Sequence, residues 1–336
     1  MENHDTLDKK YNIVKLLGLG GFSRVYLVTN INDNNQYAAR IRKDKQNEQN
    51  AKDNFEHELQ MTTELSGLNN PNIIHLVDHG VGELNIGDVK NNVNYMILEY
   101  CPKGDLFSYI NLGRLIEKHA KYIFKKIITG VQVLHEAGYC HRSLKLENIL
   151  LDQNFNLKIN NFIFATQFQQ NKQPIILKES VGNLHYSSPQ ILVNQPYNGE
   201  KNDIFSLGII LFNLVTGKFG FSKAHINDPY YKYILTEKIN KYWASLPNEI
   251  TNINYSNEFK DLYISMISFN ENKRPNISQI MNHHWFDEIN NLDNEQLKQL
   301  ELEVKNEFIK RWDQVNQNLN DINNNNKNSD IKIFKL

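Results

Sequence analysis

The first third of the chain carries the pattern of a mainly β unit. Polar and apolar positions alternate over residues 11–41, and an Asn- and Asp-rich stretch at 31–35 predicts a hairpin loop. Residues 48–68 predict a helix that ends at an Asn-Asn-Pro sequence. Two strand-like runs, 73–77 and 95–100, follow and are separated by a long polar loop that contains glycine. The pattern therefore predicts strands with one main helix.

From residue 104 onward the apolar spacing becomes helical. Positions three and four residues apart predict a long helix, with apolar residues at Ala120, Phe124, Ile127, Ile128, Val131 and Leu134. Short strands fit residues 149–151 and 157–159, and helices and loops follow to about residue 286. The most apolar run, 204–215, is too short to span a membrane and predicts a buried helix.

The last 50 residues have a different pattern. Apolar residues recur at three- and four-residue spacing and predict an amphipathic helix over 287–320, followed by an Asn-rich disordered tail over 321–336. Basic and acidic side chains balance between Leu297 and Leu319, which argues against a calmodulin target, since such targets are usually basic. The helix is expected either to dock on the domain or to contact a partner.

Composition excludes several classes of function. The 336 residues include 37 Lys plus Arg and 38 Asp plus Glu, so no basic excess indicates binding to nucleic acid. Two cysteines, Cys101 and Cys140, cannot form a disulfide framework and lack metal-ligand spacing. We expect no secretory signal and no membrane association. A cytoplasmic location is expected, and the sequence leaves a nuclear one open.

A glycine-rich stretch lies between two predicted strands. The sequence GLGGFSRV runs from Gly18 to Val25. Because a strand rather than a helix follows it, the context favours a flap over nucleotide phosphates and disfavours a dinucleotide-binding fingerprint. Many glycine-rich hairpins are only tight turns, so this stretch alone leaves both interpretations open.

Later segments resemble eukaryotic protein kinases. In the order typical of that family the chain has HRSLKLEN at 141–148, LKINNF at 157–162, SPQ at 188–190, DIFSLG at 203–208 and KRP at 273–275. Found together in this order, the motifs are highly specific for that family. Within the superfamily the chain is most similar to the calcium/calmodulin-dependent-like Ser/Thr kinases.

The resemblance implies an α+β, bilobal protein-kinase-like fold over residues 11–286. It places a small β-rich N-lobe at 11–100, a larger helical C-lobe at 101–286, and an N-terminal extension at 1–10. It also implies that the Asp203 carboxylate contacts the backbone near His141, which suits a buried acid that needs partners.

The same resemblance implies a set of site residues. The expected catalytic residues are Arg142, Ser143, Lys145 and Asn148, and the expected metal ligands, weak or lost, are Asn148 and Asn161. Leu98 stands at the gatekeeper position. The residues expected to contact the nucleotide are Gly18, Leu19, Gly20, Gly21, Phe22, Ser23, Val25, Ala38, Arg40, Glu58, Leu98, Glu99, Cys101, Asp105, Leu150 and Asn161.

Several of these positions depart from the family pattern. Ser143 stands where the family has the catalytic Asp, Asn161 where it has a metal-binding Asp, and Arg40 where it has Lys. Ile163 replaces a Gly and predicts a less mobile loop. ATP remains an expected ligand, whereas Mg²⁺ binding is doubtful because hard cations prefer carboxylates. We therefore predict a pseudokinase; the alternative is an atypical active Ser/Thr protein kinase that uses Lys145 and Asn148.

Three side-chain pairings follow from the resemblance. The helix partner of Arg40 is either Glu58 or Met61. Glu179 stands where related kinases carry an activating phosphothreonine, so it is expected either to pair with Arg142 or to be solvated. Gln190 replaces the Glu that pairs with Arg274, and a hydrogen bond is expected to replace the ion pair. The expected partners are other signalling proteins, such as an active kinase or its substrates.

Overall fold

The computed structural model describes residues 5–21, 23–42 and 48–325. The chain is divided into two compact units. The first contains the described parts of Met1–Gly104, Leu150–Ile163 and Asn316–Leu336, and the second contains Asp105–Ile149 and Phe164–Val315. The first unit is rich in strands and the second in helices, so the predicted α+β class is confirmed.

The main sheet of the first unit is a closed antiparallel barrel. Its strand order is β1-β2-β3-β4-β6-β5. These strands are β1 (Thr6–Leu7), β2 (Tyr11–Leu19), β3 (Ser23–Asn30), β4 (Gln36–Arg42), β5 (Leu76–Ile86) and β6 (Val89–Glu99). The hairpin loop predicted at 31–35 lies between β3 and β4, as expected. The main helix, α1 (Glu48–Ser66), follows β4.

The N-terminal strand β1 closes this barrel because it pairs with both β2 and β5. Leu7 is fully buried, and the next residue, Asp8, accepts a hydrogen bond from the Tyr95 hydroxyl at 2.9 Å. Part of the stretch predicted as an N-terminal extension therefore belongs to the sheet.

The β5–β6 hairpin differs from the sequence prediction. The segment expected to be a long loop continues both strands, and the turn falls at Gly87, whose φ is +56°. Backbone pairing satisfies the strand N–H and C=O groups, and one face of an antiparallel sheet can face water. Asn91 and Asn92, whose side chains point to opposite sides of the strand, are both exposed to water in this extension.

The remaining elements are mostly helical. The short strands are β7 (Tyr139–Cys140), β8 (Ile149–Leu151), β9 (Leu157–Ile159), β10 (Thr166–Gln167), β11 (Gln169–Gln170), β12 (Gln173–Pro174), β13 (Ile176–Leu177) and β14 (Tyr197–Asn198). The helices are α2 (Leu106–Ile110), α3 (Glu117–Glu136), α4 (Pro189–Leu192), α5 (Gly199–Thr216), α6 (Tyr231–Leu235), α7 (Ile239–Ser245), α8 (Asn248–Thr251), α9 (Asn257–Met266), α10 (Ile277–Met281), α11 (Asp287–Asn290) and α12 (Asn294–Asn325).

Helix α5 runs through the core of the second unit. Nearly all of its residues are buried, which confirms the prediction for the apolar run 204–215. Its N-terminus is capped by Asn198, whose Oδ1 accepts from the Lys201 N–H at 3.1 Å. It ends at Gly217, which has a φ of +71°, a conformation in which glycine avoids steric cost.

The C-terminal amphipathic segment contains two helices rather than one. Helix α11 ends at Asn290, and Asp293 caps a new helix, its Oδ1 accepting from the N–H groups of Glu295 and Gln296. Helix α12 then continues to Asn325, five residues beyond the predicted end at 320. Residues 326–336 of the predicted tail lie outside the described residues.

Helix α12 docks within the second unit through an apolar face and one arginine. Leu300, Val304 and Phe308 are buried, and the Phe308 ring lies 5.2 Å from that of Tyr109. The Arg311 guanidinium donates to three backbone carbonyls at the C-terminal end of α2 and just beyond it, those of Tyr109 (2.8 Å), Gly113 (2.6 Å) and Arg114 (2.8 Å). Of the two expected arrangements, the structure therefore shows docking on the domain.

We expect Phe308→Ala to destabilise the protein by about 3–5 kcal/mol, because it removes a buried aromatic ring and leaves a cavity. The neighbouring variant Ile309→Ala is the matched control, since Ile309 is 41% exposed on the same helix. Thermal or urea unfolding measures both variants. If both variants lose the same small amount of unfolding free energy, the docked position of α12 is contradicted.

Candidate functional site

The glycine-rich loop joins β2 to β3 in a tight turn. The Gly20 N–H donates to the Ser23 carbonyl at 2.9 Å, and Gly18 lies opposite Val25 in the strand pairing. Phe22, one of the predicted nucleotide contacts, lies outside the described residues.

The two glycines of this turn are not required by its backbone. Neither Gly20 nor Gly21 has a positive φ, and among the described residues that are not its chain neighbours a Cβ at Gly21 would meet no atom within 4 Å. A Cβ at Gly20 would make only ordinary contact with Ser23 Oγ at 3.4 Å. Missing side chains here leave room for another group to approach the backbone, which is compatible with the predicted flap.

Arg40 and Glu58 form an ion pair in the first unit. Arg40 lies on β4, Glu58 lies on α1, and Arg40 Nη1 donates to Glu58 Oε1. Met61 is buried without taking this position, so the structure decides between the two predicted partners in favour of Glu58.

Arg40 retains a donor that the described residues do not satisfy. Its Nε is buried and has no hydrogen-bond partner in the described part of the chain. Burial lowers the pKa of Arg40 to about 10, so the guanidinium still carries its charge at neutral pH. A buried cation with an unsatisfied N–H is suited to an anionic ligand such as a phosphate.

The predicted boundary between the N-lobe and the C-lobe, at residues 100 and 101, follows the end of β6. Leu98 is buried opposite Ala38 of β4. The Glu99 carboxylate is engaged within the first unit, accepting from the His75 N–H at 2.8 Å and pairing with Lys158 Nζ at 2.9 Å. Burial, and then the charge of Glu99, raise the pKa of the Cys101 thiol, so Cys101 is neutral.

Two further predicted nucleotide contacts lie in the first unit. Leu150 is the half-buried residue of β8, with the neighbouring Leu151 in the core. Asn161 has a φ of +71°, a conformation that Asn tolerates better than most residues. Ile163, which replaces the family's Gly, does not have a positive φ, so its branched side chain causes no backbone strain.

The catalytic loop, residues 141–148, is fixed in the second unit by Asp203. The Asp203 carboxylate accepts from the backbone N–H groups of His141 (2.7 Å) and Arg142 (2.9 Å) and from His135 Nε2 (3.0 Å). Arg142 is held there at a φ of +59°. The contact that the resemblance implied for Asp203 is therefore present.

Ser143 and Asn148 are hydrogen-bonded to each other inside this loop. Asn148 Nδ2 donates to the Ser143 carbonyl at 2.7 Å and to Ser143 Oγ at 3.3 Å, and both residues are buried. Lys145 Nζ lies 3.7 Å from Glu147 Oε1. The loop thus presents a hydroxyl, an amide and an ammonium group.

Asp105, a predicted nucleotide contact, caps helix α2 in the second unit. Its Oδ1 accepts from the backbone N–H of Ser108 at 2.9 Å and from the Ser108 hydroxyl at 3.1 Å. Burial raises the pKa of this carboxyl. Capping accounts for this acid at the start of a helix, and its contact with a nucleotide stays a prediction.

Glu179 pairs with Arg142, one of the two expected outcomes for this residue. Glu179 lies in the activation segment, residues 164–188, and its Oε2 is 3.0 Å from Arg142 Nη1. Tyr197, which the sequence did not single out, connects both, because its hydroxyl donates to the Glu179 carbonyl and accepts from Arg142 Nη1. Arg142 Nε donates to the Phe164 carbonyl at 2.6 Å.

A second predicted pairing is also present. Arg274 Nη2 donates to Gln190 Oε1 at 2.7 Å. As expected, a hydrogen bond to a neutral amide stands where the family has an ion pair.

The described residues contain no group of three or more His, Cys, Asp or Glu side chains that could hold a metal ion. At the predicted metal positions, Asn148 and Asn161 offer amide oxygens, which are weak ligands for Mg²⁺ compared with carboxylates.

Comparison with known proteins identifies the class of this molecule. The protein kinase domain model matches residues 11–286, so the chain belongs to the protein kinase domain family. This confirms the predicted bilobal kinase fold. Typical members of the family use ATP and Mg²⁺.

The chain is similar to several Ser/Thr protein kinases. It is 33% identical over 278 residues to CBL-interacting serine/threonine-protein kinase 13 of Arabidopsis thaliana, covering 82% of this chain and 51% of that protein. It is 30% identical over 281 residues to CBL-interacting protein kinase 2 of Oryza sativa subsp. japonica, covering 83% of this chain and 58% of that protein. These similarities confirm the predicted resemblance to the calcium/calmodulin-dependent-like group.

A shorter match links the chain to the probable serine/threonine-protein kinase HSL1 of Saccharomyces cerevisiae, with 38% identity over 191 residues, 56% of this chain and 12% of that protein. The chain spans about half the length of the plant relatives it matches. Among the described helices, none is long and apolar enough to cross a membrane.

We expect the order of the activation segment to depend on the charge of Glu179. The pKa of the Glu179 carboxyl lies below its ordinary value because its own backbone N–H donates to it and because Arg142 favours the ionised form. The pair is therefore fully present above pH 4.5, the ordinary pKa, and is lost as the pH falls through the lowered one. Hydrogen exchange of residues 176–186, corrected for intrinsic rates, should show protection that falls over this range.

Glu179→Gln should reduce this protection already at pH 7. The control is Glu237→Gln, because Glu237 also has a lowered pKa and pairs with Lys273 at 2.9 Å, outside the activation segment. If wild type and Glu179→Gln exchange equally at pH 7, the pair does not order the segment.

Proposed function

We propose that this chain is a nucleotide-binding signalling module of the protein kinase family in which phosphoryl transfer is lost or strongly reduced. The observation that carries this proposal is the catalytic loop itself. Ser143 occupies the position of the base, and its hydroxyl accepts a hydrogen bond from Asn148. A neutral hydroxyl cannot take up a proton from a substrate at pH 7, whereas a carboxylate can.

Nucleotide binding is supported by the first unit. The Arg40–Glu58 pair supplies a fixed cation, the Nε of Arg40 is an unsatisfied donor, and Gly20 and Gly21 leave the flap backbone open. These groups fit the phosphates of ATP, although a guanidinium differs from the family's lysine in size and shape.

The residues at the metal positions fit Mg²⁺ poorly. Asn148 and Asn161 provide neutral oxygens, and no carboxylate stands at either position. We therefore expect the nucleotide to bind in a way that does not require the metal.

Regulation by a fixed charge is part of the proposal. Glu179 places one negative charge on Arg142, where a phosphate would place nearly two. The activation segment would then be ordered permanently, without a phosphorylation step.

We further propose that the module acts through protein partners, such as an active kinase or the substrates of one. The plant relatives carry names that describe them as interacting with CBL, which is said of those proteins. Calmodulin and nucleic acid are not expected partners, given the balanced charge of the chain. A cytoplasmic location is likewise proposed, with a nuclear one left open.

A second candidate function is an atypical but active Ser/Thr protein kinase. The comparisons taken alone favour it, because the relatives are described as protein kinases. The Arg40–Glu58 pair, Lys145 and Asn148 also support it, since these are the parts of the family's machinery that this chain keeps.

Thermal unfolding with ATP, in excess Mg²⁺ and in EDTA, tests the proposal first. A ligand at 100 times its dissociation constant stabilises a fold by about 2.7 kcal/mol. We expect the melting temperature to rise equally in both conditions. A rise that requires Mg²⁺ would favour the active kinase, and no rise in either would contradict nucleotide binding.

A pair of variants on β4 controls this experiment. Ala38 and Arg40 point to the same side of the strand, because side chains alternate. Ala38→Leu should therefore abolish the shift with ATP, whereas Tyr37→Phe, on the opposite side, should retain it.

Restoring the missing carboxylates tests the cause of the proposed inactivity. We expect the double variant Ser143→Asp, Asn161→Asp to transfer phosphate to a generic protein substrate about 10²–10⁴-fold faster than wild type, the usual contribution of a positioned base. Radiolabelled ATP measures transfer, with Lys145→Ala as the background. Wild-type turnover that Lys145→Ala abolishes would instead establish the second candidate.

A further inference from the structure

A cavity in the second unit contains none of the predicted nucleotide or catalytic residues. It is lined by Lys121 of α3, by Ser256 and Glu258 at the start of α9, and by four residues of the segment 284–288. Its volume, counted as the space that the centre of a water molecule can reach, is about 350 Å³. Ligand sites in proteins usually measure about 300–1,000 Å³, so this cavity has room for one small group.

The walls of the cavity are held together by Glu117 of α3. Its carboxylate accepts hydrogen bonds from the Ser256 N–H at 2.8 Å, the Ser256 hydroxyl at 2.6 Å and the Trp285 indole N–H at 3.1 Å. Trp285 is buried, and its ring packs edge-on against that of Phe124 on α3. The three segments are therefore fixed before any ligand binds, which lowers the entropic cost of binding.

Two ion pairs lie in the wall of the cavity. Lys121 Nζ is 2.6 Å from Glu288 Oε2, and the lysine side chain is 11% exposed whereas that of the glutamate is 48% exposed. His284 Nδ1 is 2.9 Å from Asp287 Oδ2. Because the lysine is the buried member of its pair, an entering group meets the carboxylate of that pair first.

Glu258 adds a third carboxylate to the lining. The ion pairs described for the cavity use Glu288 and Asp287 and leave Glu258 without a base of its own. The pKa of His284 lies above its ordinary value, chiefly because Asp287 accepts a hydrogen bond from it and also because the charge of Glu258 acts on it. Glu258 is therefore close enough to act across the cavity, and the net charge of the lining is negative in either protonation state of His284.

This charge balance favours a cationic ligand. An anion entering the cavity would face three carboxylates. The described residues contain no group of three or more His, Cys, Asp or Glu side chains that could hold a metal ion, which favours a larger cation. A guanidinium suits such a site, because its planar set of N–H donors can bind two carboxylate oxygens at once.

We propose that this cavity binds the side chain of an arginine on a partner protein, with Glu258 as the carboxylate that the guanidinium contacts. Glu258, His284 and Asp287 are exposed at the rim, so the cavity is open to water. A free small molecule usually needs most of its surface buried, whereas an arginine on a protein is supported by the contacts around it. The proposal rests on the protein-partner part of the proposed function and is independent of nucleotide binding, which the ATP experiment tests separately.

Trp285 gives the cavity its own spectroscopic reporter. The chain has three tryptophans, so the full chain labelled with fluorotryptophan should give three fluorine NMR signals, and Trp243→Phe and Trp312→Phe assign two of them. The probe is the acetylated and amidated tripeptide Gly-Arg-Gly, and the control peptide carries citrulline, which has nearly the same shape without the charge. We expect the arginine peptide alone to shift the Trp285 signal, saturably and in the millimolar range. No saturable shift, or an equal shift with citrulline, would overturn the proposal.

Glu258→Gln tests the carboxylate. We expect this variant to bind the arginine peptide about 3-fold more weakly, the usual effect of one solvent-exposed charge pair. The matched control is Glu249→Gln, which removes the same charge from an exposed residue that pairs with Lys218 at 3.1 Å and does not line the cavity. It should bind as tightly as wild type, and equal weakening in both variants would show a general effect of charge and overturn the role of Glu258.

A titration with free arginine separates a protein side chain from a small molecule. Free arginine carries the same guanidinium but lacks the peptide groups on either side of it. A cavity that accepts a side chain from a protein surface binds the tripeptide at least as tightly as the free amino acid. If free arginine shifts the Trp285 signal and the tripeptide does not, the occupant is a free molecule and the proposal is overturned.

Discussion

The Asp203 carboxylate is the group on which the catalytic loop and the activation segment depend. It is fully buried, and both of its oxygens accept hydrogen bonds from the backbone of the loop or from His135. A buried carboxylate without partners would be very costly, so α5 fixes where the loop can pass. Arg142 is held at a positive φ as a result, and from there its side chain reaches Phe164, Glu179 and Tyr197.

At three positions where the site's side chains differ from the family pattern, the local structure accommodates the replacement. Asn161 lacks the charge of an aspartate but tolerates the same left-handed backbone, so the loop keeps its course. Arg40 keeps a positive charge opposite Glu58, because removing one member of a buried pair would leave the other uncompensated. Ser143 is small enough to stay within the hydrogen bonds of the loop. Ser143 and Asn161 thus lack the charges of the family's two aspartates but keep the course of the backbone, whereas Arg40 keeps the charge of the family's lysine.

Helix α12 stabilises the second unit in a way that combines burial with capping. Its apolar face covers Tyr109, and Arg311 satisfies carbonyl groups at the C-terminal end of α2 and just beyond it, which would otherwise need water. Arg311, a charged residue on an amphipathic helix with equal numbers of basic and acidic side chains between Leu297 and Leu319, thus has structural partners within the chain. The charge pattern of this helix likewise argues against a calmodulin target.

Sequence alone determined the class of fold, the buried course of α5, the hairpin at 31–35 and the positions at which catalytic groups differ from the family. These features depend on local periodicity or on short motifs, and the residues within each motif lie close together in the sequence. Only the tertiary structure decided that Glu58 rather than Met61 meets Arg40, that β5 and β6 extend through a polar segment, that α12 docks on the domain, and that Tyr197 contacts Arg142 of the catalytic loop. Such contacts join residues distant in sequence, and their geometry depends on how whole elements pack, which no local pattern encodes.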